Sequence, residues 1–191
     1  KTIFPDVLNE YRESPAFFSN EINLISTHDG PLQWILGLYQ YQANSEQPGQ
    51  QNFLPNEPIA DFIQSPGQAP RANPDRRFNT FSNTNLFSAY GVYGQIDYSF
   101  SDQWKATLGL RWSKDVKESK EEAFLGCYII CRSSIPGITT DYANITQVAF
   151  GAVPGATFRA DGWAERRLEG SWEAVTGNAG VEFRPVDDTL L

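Results

Sequence analysis

Apolar and polar side chains alternate almost without a break from Leu86 to Trp112. Tyr90, Val92, Gly94, Ile96, Tyr98 and Phe100 fall on one side, and Ala89, Gly91, Tyr93, Gln95, Asp97 and Ser99 on the other. After a tight turn at Ser101-Asp102 the pattern resumes: Trp104, Ala106, Leu108, Leu110 and Trp112 share one face, and Lys105, Thr107, Gly109, Arg111 and Ser113 the other. A period of two is the signature of a β-strand with one face in an apolar phase. Strands of soluble sheets usually run about 3–10 residues, whereas a membrane-crossing strand needs about 9–11 to span the hydrocarbon. Trp104 and Trp112 lie on the same face, about 26 Å apart along the strand and about 19 Å apart along the membrane normal at 45° tilt. That separation suits aromatic girdles at the two rims of an apolar band about 25 Å tall.

The same reading extends in both directions. Phe18, Ile22 and Leu24 alternate with Ser19, Glu21 and Asn23, which predicts a strand over 18–27. His28-Asp29-Gly30-Pro31 is a turn signal. The next strand, 32–42, places Leu32, Trp34, Leu36 and Leu38 on the apolar side. The hairpin above gives strands at 84–100 and 103–113, and a fifth runs over 168–184, with Val175, Gly177, Ala179, Val181 and Phe183 outward. Trp172 has the opposite parity, so it faces inward or a bulge intervenes. Between these lie two long polar connections, 43–81 and 114–167. Pro48, Pro55, Pro58, Pro66, Pro70 and Pro74 argue against regular structure over most of the first. The charged run Lys114–Glu122 opens the second and reads as a solvated strand extension or loop. Pro185-Val186-Asp187-Asp188 reads as a turn before a strand beginning at Thr189-Leu190-Leu191. Short turns thus alternate with long loops, the asymmetry of outer-membrane barrels, whose turns are periplasmic and whose loops are extracellular. The expected fold is all-β, an antiparallel meander forming part of a transmembrane β-barrel. Five strands and a stub are too few to close, since the smallest such barrels have eight. The first residue is Lys1 and no signal peptide leads the chain. The expectation is an interior piece of a longer protein.

The totals narrow the chemistry. A net charge of −8 excludes the basic footprint of a nucleic-acid binder. Aromatic residues make up 14% of a chain only 40% hydrophobic, as suits a polar interior inside an aromatic-rich wall. Cys127 and Cys131 are the only cysteines and His28 the only histidine, so a metal site is not expected. A local Cys127–Cys131 disulfide is, and it implies an oxidising compartment.

The segments Phe18-Ser19-Asn20-Glu21-Ile22-Asn23-Leu24, Leu32-Gln33-Trp34-Ile35-Leu36-Gly37-Leu38-Tyr39, Tyr90-Gly91-Val92-Tyr93-Gly94-Gln95-Ile96-Asp97-Tyr98, Leu108-Gly109-Leu110-Arg111-Trp112-Ser113 and Trp172-Glu173-Ala174-Val175-Thr176 occur in this order over most of the non-loop chain. Together they resemble the barrel of a TonB-dependent outer-membrane receptor. The resemblance implies a 22-stranded barrel in the outer membrane of a Gram-negative bacterium, plugged by an N-terminal domain. It also implies uptake of a scarce bulky ligand, such as a ferric siderophore, haem, cobalamin or an oligosaccharide, with energy from the inner-membrane TonB complex. The plug, the TonB-contacting segment and most of the strands are absent from this sequence. The implied partners are therefore outer-membrane lipid, the missing plug and strands of a parent chain, the TonB complex through that parent, and a small or medium ligand.

Candidate ligand contacts are the polar and aromatic residues Tyr39, Tyr93, Gln95, Arg111 and Trp163, on the inward faces and loops. No cofactor is expected. Enzymatic activity is not expected either, because there is no G-x-S-x-G motif and the sole histidine falls in a turn. Gly91-Val92-Tyr93-Gly94 reads as close strand packing, not as a nucleotide loop, and Asn144-Ile145-Thr146 as a chance match to a glycosylation sequon. The alternatives are a passive porin fragment and a secreted, soluble β-sandwich that binds carbohydrate.

Overall fold

A computed structural model of the chain describes residues 6–54, 56, 62–128 and 131–185. The strands are β1 (Val7–Tyr11), β2 (Ser14–Ile25), β3 (Leu32–Phe53), β4 (Phe62–Ile63), β5 (Arg71–Ala72), β6 (Arg77–Ser99), β7 (Trp104–Tyr128), β8 (Tyr142–Asn144), β9 (Thr157–Phe158) and β10 (Ala164–Phe183). Two short helices, α1 (Cys131–Ser134) and α2 (Thr146–Phe150), flank β8. The main sheet is ordered β1-β3-β6-β7-β10-β9, with β2 also on β3 and β8 also on β7. The long strands are therefore neighbours in chain order, as in a meander. The turn and strand expected at 185–191 lie, apart from Pro185, outside the described residues.

The strands are longer than the apolar alternation suggests. β3 runs on to Phe53, β6 begins at Arg77, β7 continues to Tyr128 and β10 begins at Ala164. The spans 43–81 and 114–167, expected as loops, are therefore partly strand. The reason is that a ladder consumes backbone N–H and C=O whatever side chains it carries. Polar and charged residues can extend it as long as their side chains are solvated or matched. Pro48, expected to break structure, lies within β3. Its missing N–H falls opposite the break between β1 and β2, and its carbonyl accepts from the Arg12 amide at 3.0 Å.

The chain divides into two compact units. One comprises Ala16–Ala43, Leu86–Lys117 and Glu169–Leu191. In it most of the outward residues predicted from alternation are exposed, Leu110 at 60%, Val175 at 72% and Val181 at 68%, along with Ile22, Leu24, Leu36, Val92, Ile96 and Leu108, while Trp34 and Phe183 are half-buried. Aromatic pairs mark one edge of this apolar face. Trp104 stacks on Phe183 at 4.4 Å, and Tyr98 meets Phe100 edge-on at 4.9 Å. The β2–β3 turn is closed by side chains: the Trp34 amide donates to Ser26 Oγ at 2.9 Å, and Gln33 Nε2 donates to the His28 carbonyl at 2.7 Å. His28 Nδ1 accepts from the Gly30 amide at 3.1 Å, which gives the lone imidazole a role in the turn.

The other unit comprises Lys1–Pro15, Asn44–Asn85 and Glu118–Leu168. It has a core of its own. Phe53 packs on Phe78, Tyr128 and Tyr142 with ring centroids 5.0–5.5 Å apart. A second cluster gathers Cys131, Ile138 and Ala143 against Cys127, Ile135 and Ile145. Cys127 and Cys131 are joined by a disulfide, with Cα atoms 5.7 Å apart. Buried Gln64 ties two connections together: its side-chain oxygen accepts from the Thr139 amide at 2.9 Å, its amide donates to the Gln68 carbonyl at 2.8 Å, and its own carbonyl accepts from the Asn144 amide at 2.9 Å. Asn144 is buried and spent locally, accepting from the Thr146 amide at 3.0 Å and donating to the Gly162 carbonyl at 3.1 Å. The charged run at the start of the expected second loop becomes a matched ladder: Lys120 contacts Glu122 at 2.9 Å and Glu165 at 3.6 Å, and Arg166 binds Glu121. The hydrogen bond from Arg167, with Lys120 nearby, holds the Glu165 carboxyl below its usual range.

Burial raises the Tyr142 phenol above its ordinary range, against the smaller opposing effects of the Asn73 hydrogen bond and Arg77. The folded state therefore favours the neutral phenol. This contribution to stability is complete below the unfolded phenol's value of about 10 and falls away as pH rises above it. In the full-length protein, loop-unit unfolding followed by denaturant titration should weaken above pH of about 10. Tyr142→Phe should lose about 1 kcal/mol at neutral pH, through the hydrogen bond from Asn73, and should show less of the alkaline decline. An equal decline in both proteins would show that Tyr142 is not its source.

Candidate functional site

In the unit bearing the apolar face, the opposite faces of the strands line a concave polar surface enclosing about 830 Å³. Alternation puts most of the contributors there. β2 supplies Glu21, β3 Ile35 and Tyr39, β6 Tyr93 and Gln95, β7 Gly109 and Arg111, and β10 Thr176 and Asn178. Of the five ligand-contact candidates from the sequence, Tyr39, Tyr93, Gln95 and Arg111 come together here.

The best-ordered part of this surface spans three strands. The Tyr93 hydroxyl donates to Glu21 Oε1 at 2.5 Å and lies 2.6 Å from the Asn23 side-chain oxygen, while Asn23 Nδ2 donates to the same carboxylate oxygen at 3.1 Å. Tyr93 is on β6 and its partners are on β2, so the ring must cross β3. It does so over Gly37, where any Cβ would collide with the ring. Gly37 is thus a groove for Tyr93, and the pair locks three strands in register. Asn178 of β10 occupies the equivalent space over Gly109 of β7. Further along β6 and β7, Asp97 accepts from Thr107 at 2.5 Å, lies 3.4 Å from the Gln95 amide and pairs with Lys105 at 3.9 Å. Among the described residues Arg111 makes no ion pair, and it lines the same concavity as Glu21. A cation, a carboxylate, two phenols and two amides therefore share one concavity. Such a set can hydrogen-bond polar groups of a ligand, as donor and as acceptor.

Trp163 is placed differently, in the loop unit. Two guanidinium groups approach its ring, Arg77 at 5.2 Å and Arg159 at 5.9 Å, with the Phe124 ring at 5.9 Å. Arg159 is anchored by Glu122 at 3.0 Å. Sequence reasoning put Glu21, Asn23, Thr176 and Asn178 on the inward face but did not single them out. The pairing of Gly37 with Tyr93 carries no local signal, because the two residues belong to different strands.

A family model described as "TonB dependent receptor-like, beta-barrel" matches residues 5–191. Among solved structures, the ferric yersiniabactin uptake receptor FyuA from Yersinia pestis superimposes with a TM-score of 0.56 at 10% identity, over 95% of this chain and 20% of that one. At that identity the likeness is one of fold, and this chain spans about a fifth of the receptor's length. No curated protein sequence matches the chain.

The Gly37 groove yields a direct test. Gly37→Val should cost about 1–3 kcal/mol by overpacking against the Tyr93 ring. Adding Tyr93→Ala should recover part of that loss, because residues in contact couple. Additive effects in urea unfolding of the full-length protein would refute the contact.

Proposed function

We propose that this chain, which belongs to the TonB-dependent receptor β-barrel family, forms part of the wall and extracellular loops of a Gram-negative outer-membrane receptor. The parent protein takes up a scarce bulky ligand of the kind a ferric siderophore represents. It is a transporter, with no catalytic role for this segment. The observation that carries the reading is the division of each long strand into an exposed apolar face and a polar face lining the concavity of Glu21, Tyr39, Tyr93, Gln95, Arg111 and Asn178. The apolar face meets outer-membrane lipid, and the aromatic pairs Trp104–Phe183 and Tyr98–Phe100 mark the periplasmic rim. The tight turns are periplasmic. The unit with the disulfide and the Phe53–Tyr142 core is extracellular, where an oxidised cysteine pair persists.

On this reading Tyr39, Tyr93, Gln95 and Arg111 line the ligand's path, and Trp163, approached by Arg77 and Arg159, meets the ligand at the surface. The missing plug fills the barrel of the parent chain, and the TonB complex supplies the energy for opening it. FyuA, a receptor for ferric yersiniabactin, supports the siderophore class through its shared fold.

Two measurements test this. In the full-length protein folded into vesicles, Leu108→Arg should cost about 2–4 kcal/mol because it places a charge in hydrocarbon. Thr107→Arg should cost less, since its side chain points to Asp97 in water. Equal costs would refute the assignment of faces. In cells, uptake by the full-length protein should stop when the proton gradient is collapsed, and Arg111→Ala should weaken uptake without lowering the amount of receptor in the membrane. Uptake that persists without the gradient would favour a passive porin.

A further inference from the structure

The apolar wall has one depression in it. Gly94 stands in the run Tyr90, Val92, Gly94, Ile96, Tyr98, whose other members all expose large side chains. Trp34 and Leu36 of β3, Ile96 of β6, and Leu108 and Leu110 of β7 surround it, leaving a hollow of about 370 Å³. Leu36 leans partly across: a Cβ on Gly94 would lie 2.8 Å from its Cδ2. Gln95 contributes only backbone, because its amide is turned to Asp97 on the opposite face. Trp34 is half-buried and lines the hollow.

We propose that this hollow seats one acyl chain of a membrane lipid, held more firmly than the chains around it. The inference rests on the membrane reading above. Three observations select that occupant. Along β6 and β7 the hollow lies between the aromatic positions Tyr98 and Trp104 on one side and Tyr90 and Trp112 on the other, so it opens within the hydrocarbon layer. Its floor and walls offer a polar ligand almost nothing, since the backbone groups there belong to the sheet ladder. A gap left empty among Leu36, Ile96, Leu108 and Leu110 would forfeit dispersion contacts on every side, and a flexible methylene chain can supply them. Trp34 gives the site a built-in reporter.

The test uses the full-length protein in phosphatidylcholine vesicles containing increasing fractions of lipid brominated on its acyl chain, which quenches nearby indole fluorescence. The Trp34 signal is the difference between the parent protein and its Trp34→Phe variant. The Trp104 signal, from Trp104→Phe, reports ordinary lipid contact. Because brominated and ordinary chains exchange one for one, Trp34 beside a single seated chain should lose fluorescence in proportion to the brominated fraction, whereas Trp104, reached by several chains, should be half-quenched at a lower fraction. Gly94→Ile, which fills the hollow, should bring the two curves together, and the milder Gly94→Ala should shift the Trp34 curve part of the way should the larger residue prevent folding. Coincident curves in the unsubstituted protein, or a Trp34 curve unmoved by both substitutions, would overturn the proposal. So would a detergent-solubilised dimer that Gly94→Ile dissociates, since a second copy would then be the occupant. If neither tryptophan is quenched by any brominated fraction, the wall is not in the bilayer, and the membrane reading fails along with the slot.

Discussion

A strand can turn one side toward hydrocarbon only if all of its backbone N–H and C=O groups are satisfied sideways, by neighbouring strands. This requirement governs the arrangement of the described residues. It makes the strands long, makes chain neighbours into sheet neighbours, and separates the question of pairing from that of side-chain chemistry. With the ladder supplying the polar bonds, the outward positions are free to be Leu108, Leu110 and Val92, and the inward ones to be Tyr93, Gln95 and Arg111. The same ladder continues into polar sequence, where its requirement becomes charge matching. Lys114 reaches Glu173 at 2.8 Å, and Lys120 reaches Glu165 at 3.6 Å.

The apolar alternation was legible because hydrocarbon tolerates few exceptions: a wrong parity places a charge on the wrong face. Hence the meander order and the outward residues could be read directly from the sequence. The outer ends of the strands could not, because water tolerates almost any side chain on an extended backbone and alternation loses its meaning there. Phe53 lies in a proline-rich span expected as loop, yet it closes a core with Phe78 and Tyr142. Those partners lie 25 and 89 positions further along the chain, and no local window contains them.

The polar concavity divides in the same way. Parity alone gathers Tyr39, Tyr93, Gln95 and Arg111 on one face. What parity does not give is distance across the sheet. Tyr93 reaches Glu21 because Gly37 lowers the strand between them, and that depends on register, which is settled only when the hairpins close. Gly94 poses the same problem on the outer face: as a letter it reads as a weak strand residue, and in the sheet it is a hole among leucines.

The cysteine pair has a consequence of a different kind, in time. Cys131 is fully buried in a cluster with Ile138 and Ala143, beyond the reach of any oxidant once the core has formed. Its partner, however, is only four residues away, and a ring that small closes through a local turn of a flexible chain, without help from tertiary structure. Oxidation can therefore come first, while the polypeptide is still unfolded and both thiols are accessible. A ring so short removes little disorder from the unfolded chain, so its use lies in fixing a corner between β7 and α1 before either has neighbours. The bond can thus form without the core, and the core that later covers Cys131 has no need to open for it.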